Sequence, residues 1–146
     1  MAKLVSTWSK DPSTQVGAVI VRPDKSVASI GFNGFPQSMP DDDELYANRE
    51  EKYCRIIHAE MNALNFSRDQ SHKGYTVYCW PFLPCITKGC FIHLVQSGIT
   101  RFVSVKATDD IASRWGDDIN QVRKYAKECN VEIIEYPLED MSWTNN

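Results

Sequence analysis

Residues 16–31 have the sequence VGAVIVRPDKSVASIG, in which two short runs rich in β-branched residues flank the segment Arg22-Pro-Asp-Lys25. Proline and aspartate between two such runs are typical of a turn. The stretch therefore predicts a β-hairpin with strands at 16–21 and 26–31. Because strand and helix patterns alternate after it, this hairpin decides how the sheet begins.

Three further strands and three helices are predicted downstream of the hairpin. The strands are expected at 75–80, 101–105 and 131–136. The helices are expected at about 58–67, at 89–96 and along the apolar stripe Ile111, Trp115, Ile119, Val122 and Ala126. The order β-β-α-β-α-β-α-β implies crossover connections, and therefore a mixed sheet in a three-layer α/β fold.

The segment 33–53 interrupts this alternation. It is rich in glycine, proline and acidic residues, so we predict a long loop of the kind that often has a functional role. Its acidic run at 41–44 is expected to be solvated. The alternative for that run is a Mg²⁺ contact to a bound triphosphate.

Length and composition restrict the class of protein. A chain of 146 residues is expected to form one domain over 1–146. Its net charge of -3 argues against a nucleic-acid polymer as the main partner, because proteins that bind such polymers usually carry a basic surface. No apolar run approaches the roughly 20 residues that span a bilayer, and the N-terminus lacks the apolar core of a secretory signal. We therefore expect a cytoplasmic protein without a membrane partner.

Three residues form a candidate metal site. The odd number of cysteines, five, argues against a disulfide framework. Cys85 and Cys90 lie close together in the sequence, and His58 precedes another predicted helix. Three ligands of mixed nitrogen and sulfur type suit zinc and leave one coordination position open for water. We predict one catalytic Zn²⁺ per chain at this site.

Glu60 is the candidate catalytic residue. It follows His58 by two positions in IHAEMNA (57–63), inside an apolar run where an unpaired charge would cost several kcal/mol. Zinc lowers the pKa of a bound water to about 7, and a neighbouring carboxylate can carry protons from that water to a substrate. The spacing therefore predicts a histidine that binds metal and a glutamate that moves protons.

A closed structural zinc site is the alternative. Cys54 and His58 are spaced i,i+4 and would share one face of a continuous helix. With Cys85 and Cys90 they would supply four protein ligands. Such a site would leave Glu60 without a role and would indicate a non-enzymatic interaction module.

Five blocks of the sequence together resemble the deoxycytidylate (dCMP) deaminases, a branch of the zinc-dependent cytidine deaminase superfamily. The blocks are SKDPSTQVGAVIV (9–21), GFNGFP (31–36), HAEMNAL (58–64), PCITKGC (84–90) and HLVQSGITRFVSV (93–105). The zinc motifs are typical of the whole superfamily, whereas the first two blocks indicate the dCMP branch. The compact length is also compatible with a phage-encoded member acting in the host-cell cytoplasm.

The resemblance implies a cytidine-deaminase-like fold with a five-stranded sheet, usually assembled as a homohexamer. It also implies hydrolysis of dCMP to dUMP and ammonia, which supplies dUMP for thymidylate synthesis. His58, Cys85 and Cys90 would bind zinc. Glu60 would deprotonate the water, protonate N3 of the pyrimidine and return a proton to the departing ammonia.

Substrate and effector residues are implied as well. Asn33 would hydrogen-bond the sugar, and the backbone near Ala59 and 80–84 would contact the pyrimidine edge. Many members are activated by dCTP and inhibited by dTTP at a separate site associated with a Gly-Tyr-Asn-Gly motif. The corresponding effector residues here are Gly31, Phe32, Asn33 and Gly34, with Lys10 as a candidate for the effector phosphates.

The chain departs from the family pattern at three places, and one of them is the lack of an evident His/Cys set for the second, structural zinc that some members carry. Four residues separate Cys85 from Cys90 where the family usually has two, so the loop between them must bulge. Phe32 replaces the tyrosine of the effector motif and removes its hydroxyl group.

The phosphate of dCMP requires cationic contacts, which favours arginine or paired N–H donors. The candidates are Lys10, Arg22, Arg49, Arg55, Lys88 and Arg114. Trp115 suits either the core or an aromatic wall of the base pocket. A deaminase of another pyrimidine or of a purine is the competing enzymatic hypothesis, although editing of a polymer would need a basic, aromatic-lined groove.

Overall fold

The computed structural model describes residues 1–140, which contain five strands and six helices. The strands are β1 (Gly17–Val21), β2 (Val27–Phe32), β3 (Thr76–Trp80), β4 (Arg101–Val105) and β5 (Glu132–Tyr136). The helices are α1 (Ala2–Ser6), α2 (Asp43–Ala47), α3 (Arg49–Arg55), α4 (Ala59–Phe66), α5 (Cys90–Gln96) and α6 (Asp109–Cys129). Every strand and helix predicted from the sequence is present.

The five strands form one mixed sheet in the order β2-β1-β3-β4-β5. Strand β1 pairs antiparallel with both of its neighbours, which confirms the hairpin. Strands β3, β4 and β5 pair in parallel, as the predicted helical crossovers require. The prediction of an α/β fold with a five-stranded mixed sheet is confirmed.

Two glycines allow helices to pack closely on opposite faces of this sheet. A Cβ atom at Gly17 would lie 2.2 Å from the Ala2 carbonyl oxygen of α1, and a Cβ atom at Gly31 would lie 2.3 Å from the Ala59 carbonyl oxygen of α4. Gly31 is the partner of Ala18 in the β1–β2 register, so it and Gly17 point to opposite sides. Helix α1 therefore lies on one face and α4 on the other.

The main hydrophobic core lies on the α4 face. It joins side chains of the central strands to apolar residues of α4, α5 and α6, and includes Ala18, Ile20, Ala63, Val77, Phe91, Leu94, Phe102, Ile119 and Val122. Helix α6 has 21 residues, yet no helix in residues 1–140 is both long and apolar enough to cross a membrane.

The prediction of a long loop at 33–53 was wrong, because α2 lies within this range and α3 begins in it. The Asn48 side chain accepts a hydrogen bond from the Glu51 backbone N–H at 3.3 Å and so caps the start of α3. An asparagine followed three residues later by a glutamate is a known helix-start pattern. The glycine- and proline-rich composition of 33–53 indicated a loop more strongly than this capping pair indicated a helix. The N-terminal helix α1 was also not predicted.

Candidate active site

His58 comes together with Cys85 and Cys90, which lie 27 and 32 positions further along the chain. The His58 Nδ1 atom lies 3.2 Å from the Cys85 Sγ atom and 3.3 Å from the Cys90 Sγ atom. The two Sγ atoms are 3.5 Å apart. Within residues 1–140, this is the group of metal-ligating side chains whose ligand atoms converge.

The fold positions each ligand at the end of an element. His58 is the N-cap residue of α4, and the residue before it, Ile57, is held by two backbone hydrogen bonds to Gly34, of 2.9 and 3.1 Å. Cys85 lies in the loop after β3, and Cys90 is the first residue of α5. The ligands therefore approach one another at the edge where β3 ends and α4 and α5 begin.

Gly89 allows the loop between Cys85 and Cys90 to turn back toward His58. Its φ of 75° lies in the left-handed region, which glycine adopts without strain. Its backbone N–H donates to the Ile86 carbonyl oxygen at 2.7 Å, and the Phe91 N–H donates to the Cys85 carbonyl oxygen at 3.0 Å. The four-residue spacing thus forms the predicted bulge and still brings both sulfur atoms to His58.

The donor set fits a zinc ion. Tetrahedral zinc with ordinary bond lengths separates its nitrogen and sulfur ligands by about 3.5–3.8 Å, close to the observed separations. The hydrogen bond from the Cys90 thiol, assisted by His58, lowers the pKa of Cys85 to about 4. The same hydrogen bond, together with burial, raises the pKa of Cys90. The two shifts favour a thiolate at Cys85, and the thiolate is the form that binds metal.

Glu60 lies beside this group in the first turn of α4. Its side chain is 2% exposed, and its Oε2 atom has no hydrogen-bond partner among residues 1–140. Burial raises the pKa of Glu60 to about 7, although the neighbouring His58 opposes the shift. A buried carboxyl group with a free oxygen and a pKa near neutrality is suited to accept and release protons.

Cys54 does not join the metal-ligating group. It is exposed on α3, which ends at Arg55, and the chain is extended at Ile56 before His58. The continuous helix required for a shared Cys54–His58 face is therefore broken. The described residues supply three ligands, not the four of a closed structural site.

The metal-ligating group opens into a cavity of about 610 Å³, a volume typical of small-molecule sites. The cavity floor is formed by His58, Glu60 and Cys85. Phe82 and Trp115 line one wall with their ring centroids 6.5 Å apart and their planes inclined by 24°. The Trp115 Nε1 atom is buried and has no hydrogen-bond partner within the described chain. Trp115 therefore lies in the cavity wall, one of the two places predicted for it from the sequence.

The cavity mouth is formed by Arg49, Tyr53 and Arg114, which line the cavity and are exposed to solvent. The Arg49 guanidinium lies 5.3 Å from the centre of the Tyr53 ring. Arg114 pairs with Asp110 at 3.0 Å, and the Asp110 side chain is 80% exposed. Such an exposed pair contributes little to stability, so Arg114 can exchange its partner for a ligand at low cost.

The other predicted phosphate cations have contacts elsewhere. Lys10 pairs with Asp41 at 2.8 Å and Arg22 pairs with Asp69 at 2.7 Å. Arg55 pairs with Glu51 at 2.7 Å. Lys88 donates to the Tyr53 carbonyl oxygen. Of the six candidates, the cavity lining contains Arg49 and Arg114.

Sequence reasoning missed a buried ion pair in the cavity wall. Lys52 of α3 lies 3.2 Å from the Asp11 Oδ1 atom, and their side chains are 8% and 5% exposed. Asp11 also accepts a hydrogen bond from the Ser13 N–H at 2.8 Å. This pair fixes α3 against the 9–16 segment. No pattern in the sequence joins two residues 41 positions apart.

The remaining predicted substrate residues occupy different environments. Asn33 lines the cavity and is 4% exposed. Its Oδ1 atom accepts from the Val16 N–H at 2.8 Å, and its Nδ2 atom donates to the Thr14 carbonyl oxygen at 2.9 Å. Ala59 is fully buried, and its carbonyl oxygen faces Gly31. Their contacts to a substrate stay predictions.

The predicted effector residues are partly structural. The absence of a side chain at Gly31 allows α4 to pack closely against the sheet. Gly34 forms two backbone hydrogen bonds with Ile57. Phe32 is 38% exposed and meets Trp8 edge-to-face with ring centroids 6.1 Å apart. The Ser9 hydroxyl donates to the Asn33 carbonyl oxygen at 2.8 Å, which places neighbouring Lys10 close to this segment.

The chain matches a known family and known relatives over most of its length. Residues 1–106 match the family model described as the cytidine and deoxycytidylate deaminase zinc-binding region. The chain is 38% identical over 139 residues to an uncharacterized deaminase of Aliivibrio fischeri, covering 95% of this chain and 90% of that protein. It is 32% identical over 148 residues to the human deoxycytidylate deaminase, covering 93% of this chain and 82% of the human protein.

A solved structure shares the same architecture. The apo form of the dCMP deaminase from the cyanophage S-TIM5 has a TM-score of 0.66 and 24% sequence identity, and the match covers 92% of this chain and 90% of that chain. The match thus supports the fold described above, independently of the family model. The chain belongs to the family of cytidine and deoxycytidylate deaminases that carry this zinc-binding region.

Proposed function

We propose that the protein is a zinc-dependent deaminase that hydrolyses dCMP to dUMP and ammonia. The observation that carries this proposal is the buried Glu60 carboxyl group, which has a free oxygen beside three converging metal ligands. The substrate is inferred from relatives such as the human deoxycytidylate deaminase, at 32% identity. The production of dUMP would supply thymidylate synthesis.

Zinc held by His58, Cys85 and Cys90 would activate a water molecule for attack on C4 of the cytosine ring. The Glu60 carboxylate accepts the proton of the attacking water and delivers it to N3 of the ring. Glu60 then transfers a second proton from the oxygen to the exocyclic amino group. The C4–N bond breaks, ammonia leaves, and the carbonyl group of uracil remains. A pKa of about 7 for Glu60 allows both directions of transfer near neutral pH.

The cavity orients the nucleotide between its floor and its mouth. The ring lies against Phe82 and Trp115, which offer an apolar wall, and the backbone near Ala59 and the 80–84 stretch contacts the pyrimidine edge. Asn33 contacts the sugar. The 5′-phosphate lies at the cavity mouth, because Arg49 and Arg114 are the cations of the predicted set that line the cavity. Arginine is well suited to this role, since its planar group can bind two phosphate oxygens at once.

We also propose regulation by nucleotides and assembly into a homo-oligomer, a hexamer by the resemblance. The effector dCTP would activate and dTTP would inhibit at the segment formed by Gly31, Phe32, Asn33 and Gly34, with Lys10 and a Mg²⁺ ion binding the triphosphate. The exposure of Phe32 and the closeness of the Lys10 segment to Asn33 support this place. Light scattering with size-exclusion chromatography tests the hexamer.

Ammonia release and the ultraviolet change from cytosine to uracil test the proposed function. Zinc-loaded protein is incubated with dCMP and, in parallel, with deoxycytidine, each with and without dCTP. We expect turnover of dCMP, at least tenfold slower turnover of deoxycytidine, and a dCTP-dependent rise in rate. Turnover of deoxycytidine or cytidine in preference to dCMP would overturn the substrate assignment. The absence of turnover of any of them by zinc-loaded protein would overturn the reaction.

A further inference from the structure

The loop between Cys85 and Cys90 is longer than metal chelation by two cysteines requires. Four residues separate these ligands, whereas the superfamily signature has two. A longer loop has more conformations to lose when both sulfur atoms must face one ion. Its N-cap residue for α5, Gly89, has no side chain with which to organise the turn.

Asp118 of helix α6 accepts hydrogen bonds from this loop. Its Oδ2 atom accepts a hydrogen bond from the Ile86 N–H at 2.8 Å. Its Oδ1 atom accepts from the Thr87 N–H at 3.0 Å and from the Thr87 hydroxyl at 2.6 Å. Both carboxylate oxygens are therefore bound to the first two residues that follow Cys85. Hydrogen bonds to an ionised acceptor are stronger than those between neutral groups.

The position of Asp118 within α6 shows that it does not cap its own helix. Thr108 caps the start of α6 through its hydroxyl, and Asp118 lies in the middle of the 21-residue helix. Trp115, three residues earlier, lies on the same side of the helix and lines the cavity. One face of α6 therefore contacts both the aromatic cavity wall and the cysteine loop.

We propose that Asp118 is a positioning residue that holds the 85–90 loop in the conformation in which both sulfur atoms face His58. The inference rests on the zinc site of the proposed function and does not depend on the substrate. It predicts that Asp118 contributes to metal affinity without contacting the metal. Partners that orient metal ligands typically change metal affinity by about 10- to 100-fold when they are replaced.

Zinc affinity is the direct test, measured by competition with a chromophoric chelator on the full chain. We expect Asp118→Asn, which keeps the side-chain shape but turns an N–H donor toward the loop, to raise the zinc dissociation constant by about tenfold or more. Thr87→Val removes the hydroxyl hydrogen bond alone and should weaken binding by a smaller factor. The control is Asp117→Asn, the same charge change at the exposed neighbouring residue of α6, which should stay within about twofold of the unchanged protein.

Cobalt substitution supplies a second readout. We expect the thiolate-to-cobalt absorption of Asp118→Asn to differ from that of Asp117→Asn at saturating cobalt, because the Cys85 sulfur is less well oriented. Equal zinc affinities and equal cobalt spectra in these two variants would overturn the proposal. If Asp118→Asn does not fold when circular dichroism is measured without metal, Thr87→Val decides: an affinity equal to that of Asp117→Asn overturns it.

The test separates this inference from the proposed function. If the unchanged protein binds zinc but does not deaminate dCMP, the proposed function fails, and the zinc affinities still decide the role of Asp118. If dCMP is deaminated and all variants bind zinc equally, the positioning role of Asp118 fails and the proposed function stands.

Discussion

The cavity floor and the cavity mouth are built from the sequence in different ways. The floor consists of His58, Glu60 and Cys85, and Cys90 completes the metal-ligating group. Each of these residues lies in a short motif beside the end of a helix or strand. The mouth is assembled from α3 and α6, whose cavity residues Arg49 and Arg114 are 65 positions apart in the printed sequence. The proposed chemistry depends on residues within short motifs, whereas the proposed phosphate contact depends on packing between distant segments.

This difference predicts that changes at the floor abolish the reaction and that changes at the mouth alter substrate choice. The buried floor has few alternative partners for its charges, so its replacements leave uncompensated groups. The exposed arginines of the mouth are solvated without ligand, so their replacement affects mainly the bound state.

The largest effect is expected for Cys90→Ser. Serine is a poor zinc ligand, and the remaining His58 and Cys85 supply two ligands where zinc needs at least three from the protein. Zinc content should fall from about one per chain to nearly none, and deamination should fall to background. Metal analysis and the ammonia assay check both values. Retention of zinc would show that another residue completes the site.

The next largest effect is expected for Glu60→Gln. Glutamine keeps the size of the side chain but cannot carry a proton, so kcat should fall by about a thousandfold or more while zinc stays bound. Steady-state kinetics and metal analysis of the same preparation measure the two quantities. Turnover within about tenfold of the unchanged protein would contradict the proton-transfer role. Replacements at the floor would then have no larger effect than replacements at the mouth.

A smaller and more selective effect is expected for Arg114→Gln. Loss of a charge-assisted hydrogen bond to the phosphate, about 1.5–3 kcal/mol, should reduce kcat/KM for dCMP by about 10- to 100-fold. The value for deoxycytidine, which has no phosphate, should not change. Lys124→Gln is the matched control, since Lys124 is exposed about three turns further along α6. Equal losses for dCMP and deoxycytidine would show that Arg114 supports the fold, not the phosphate.

The smallest effect concerns Tyr46, a buried residue that lines the cavity. Burial, together with the neighbouring Asp41, raises the pKa of Tyr46 to about 12, from 10.0 for an unperturbed tyrosine. The folded protein therefore holds this proton more tightly than the unfolded chain. The stability contributed by Tyr46 should be complete below about pH 10 and lost as the pH rises from about 10 to about 12.

Spectrophotometric titration checks this pKa. The difference in tyrosinate absorbance between the unchanged protein and Tyr46→Phe should correspond to one tyrosine with a midpoint near pH 12. A midpoint near pH 10 would mean that solvent reaches the Tyr46 hydroxyl, which would contradict its burial in the cavity lining.

The same contrast explains what could be predicted from the sequence. The ligand set was predictable because zinc accepts few residue types, and HAE and PCITKGC each hold such residues close together in one short segment. The hairpin at 16–31 was predictable from two β-branched runs around a turn, and α6 from the helical period of its apolar stripe. In these cases the physical constraint acts between residues that are close in the chain.

Helices α2 and α3 and the contacts of the metal loop with α6 were not predicted. The Asn48–Glu51 capping pair was present in the sequence as a local signal for α3, but the Gly- and Pro-rich composition of 33–53 outweighed it. The Lys52–Asp11 pair and the Asp118 contacts to Ile86 and Thr87 had no local signal. They join segments that become neighbours after the sheet has formed.

The most direct test of the account is equilibrium binding of dCMP and deoxycytidine to zinc-loaded Glu60→Gln, measured by titration calorimetry. This variant removes the chemistry of the floor and leaves the mouth intact. We predict saturable binding of dCMP that is at least about tenfold tighter than that of deoxycytidine, the contribution of one charge-assisted phosphate contact. Equal affinities for the two ligands, with zinc at about one per chain, would contradict the claim that one cavity combines a catalytic floor with a phosphate-binding mouth.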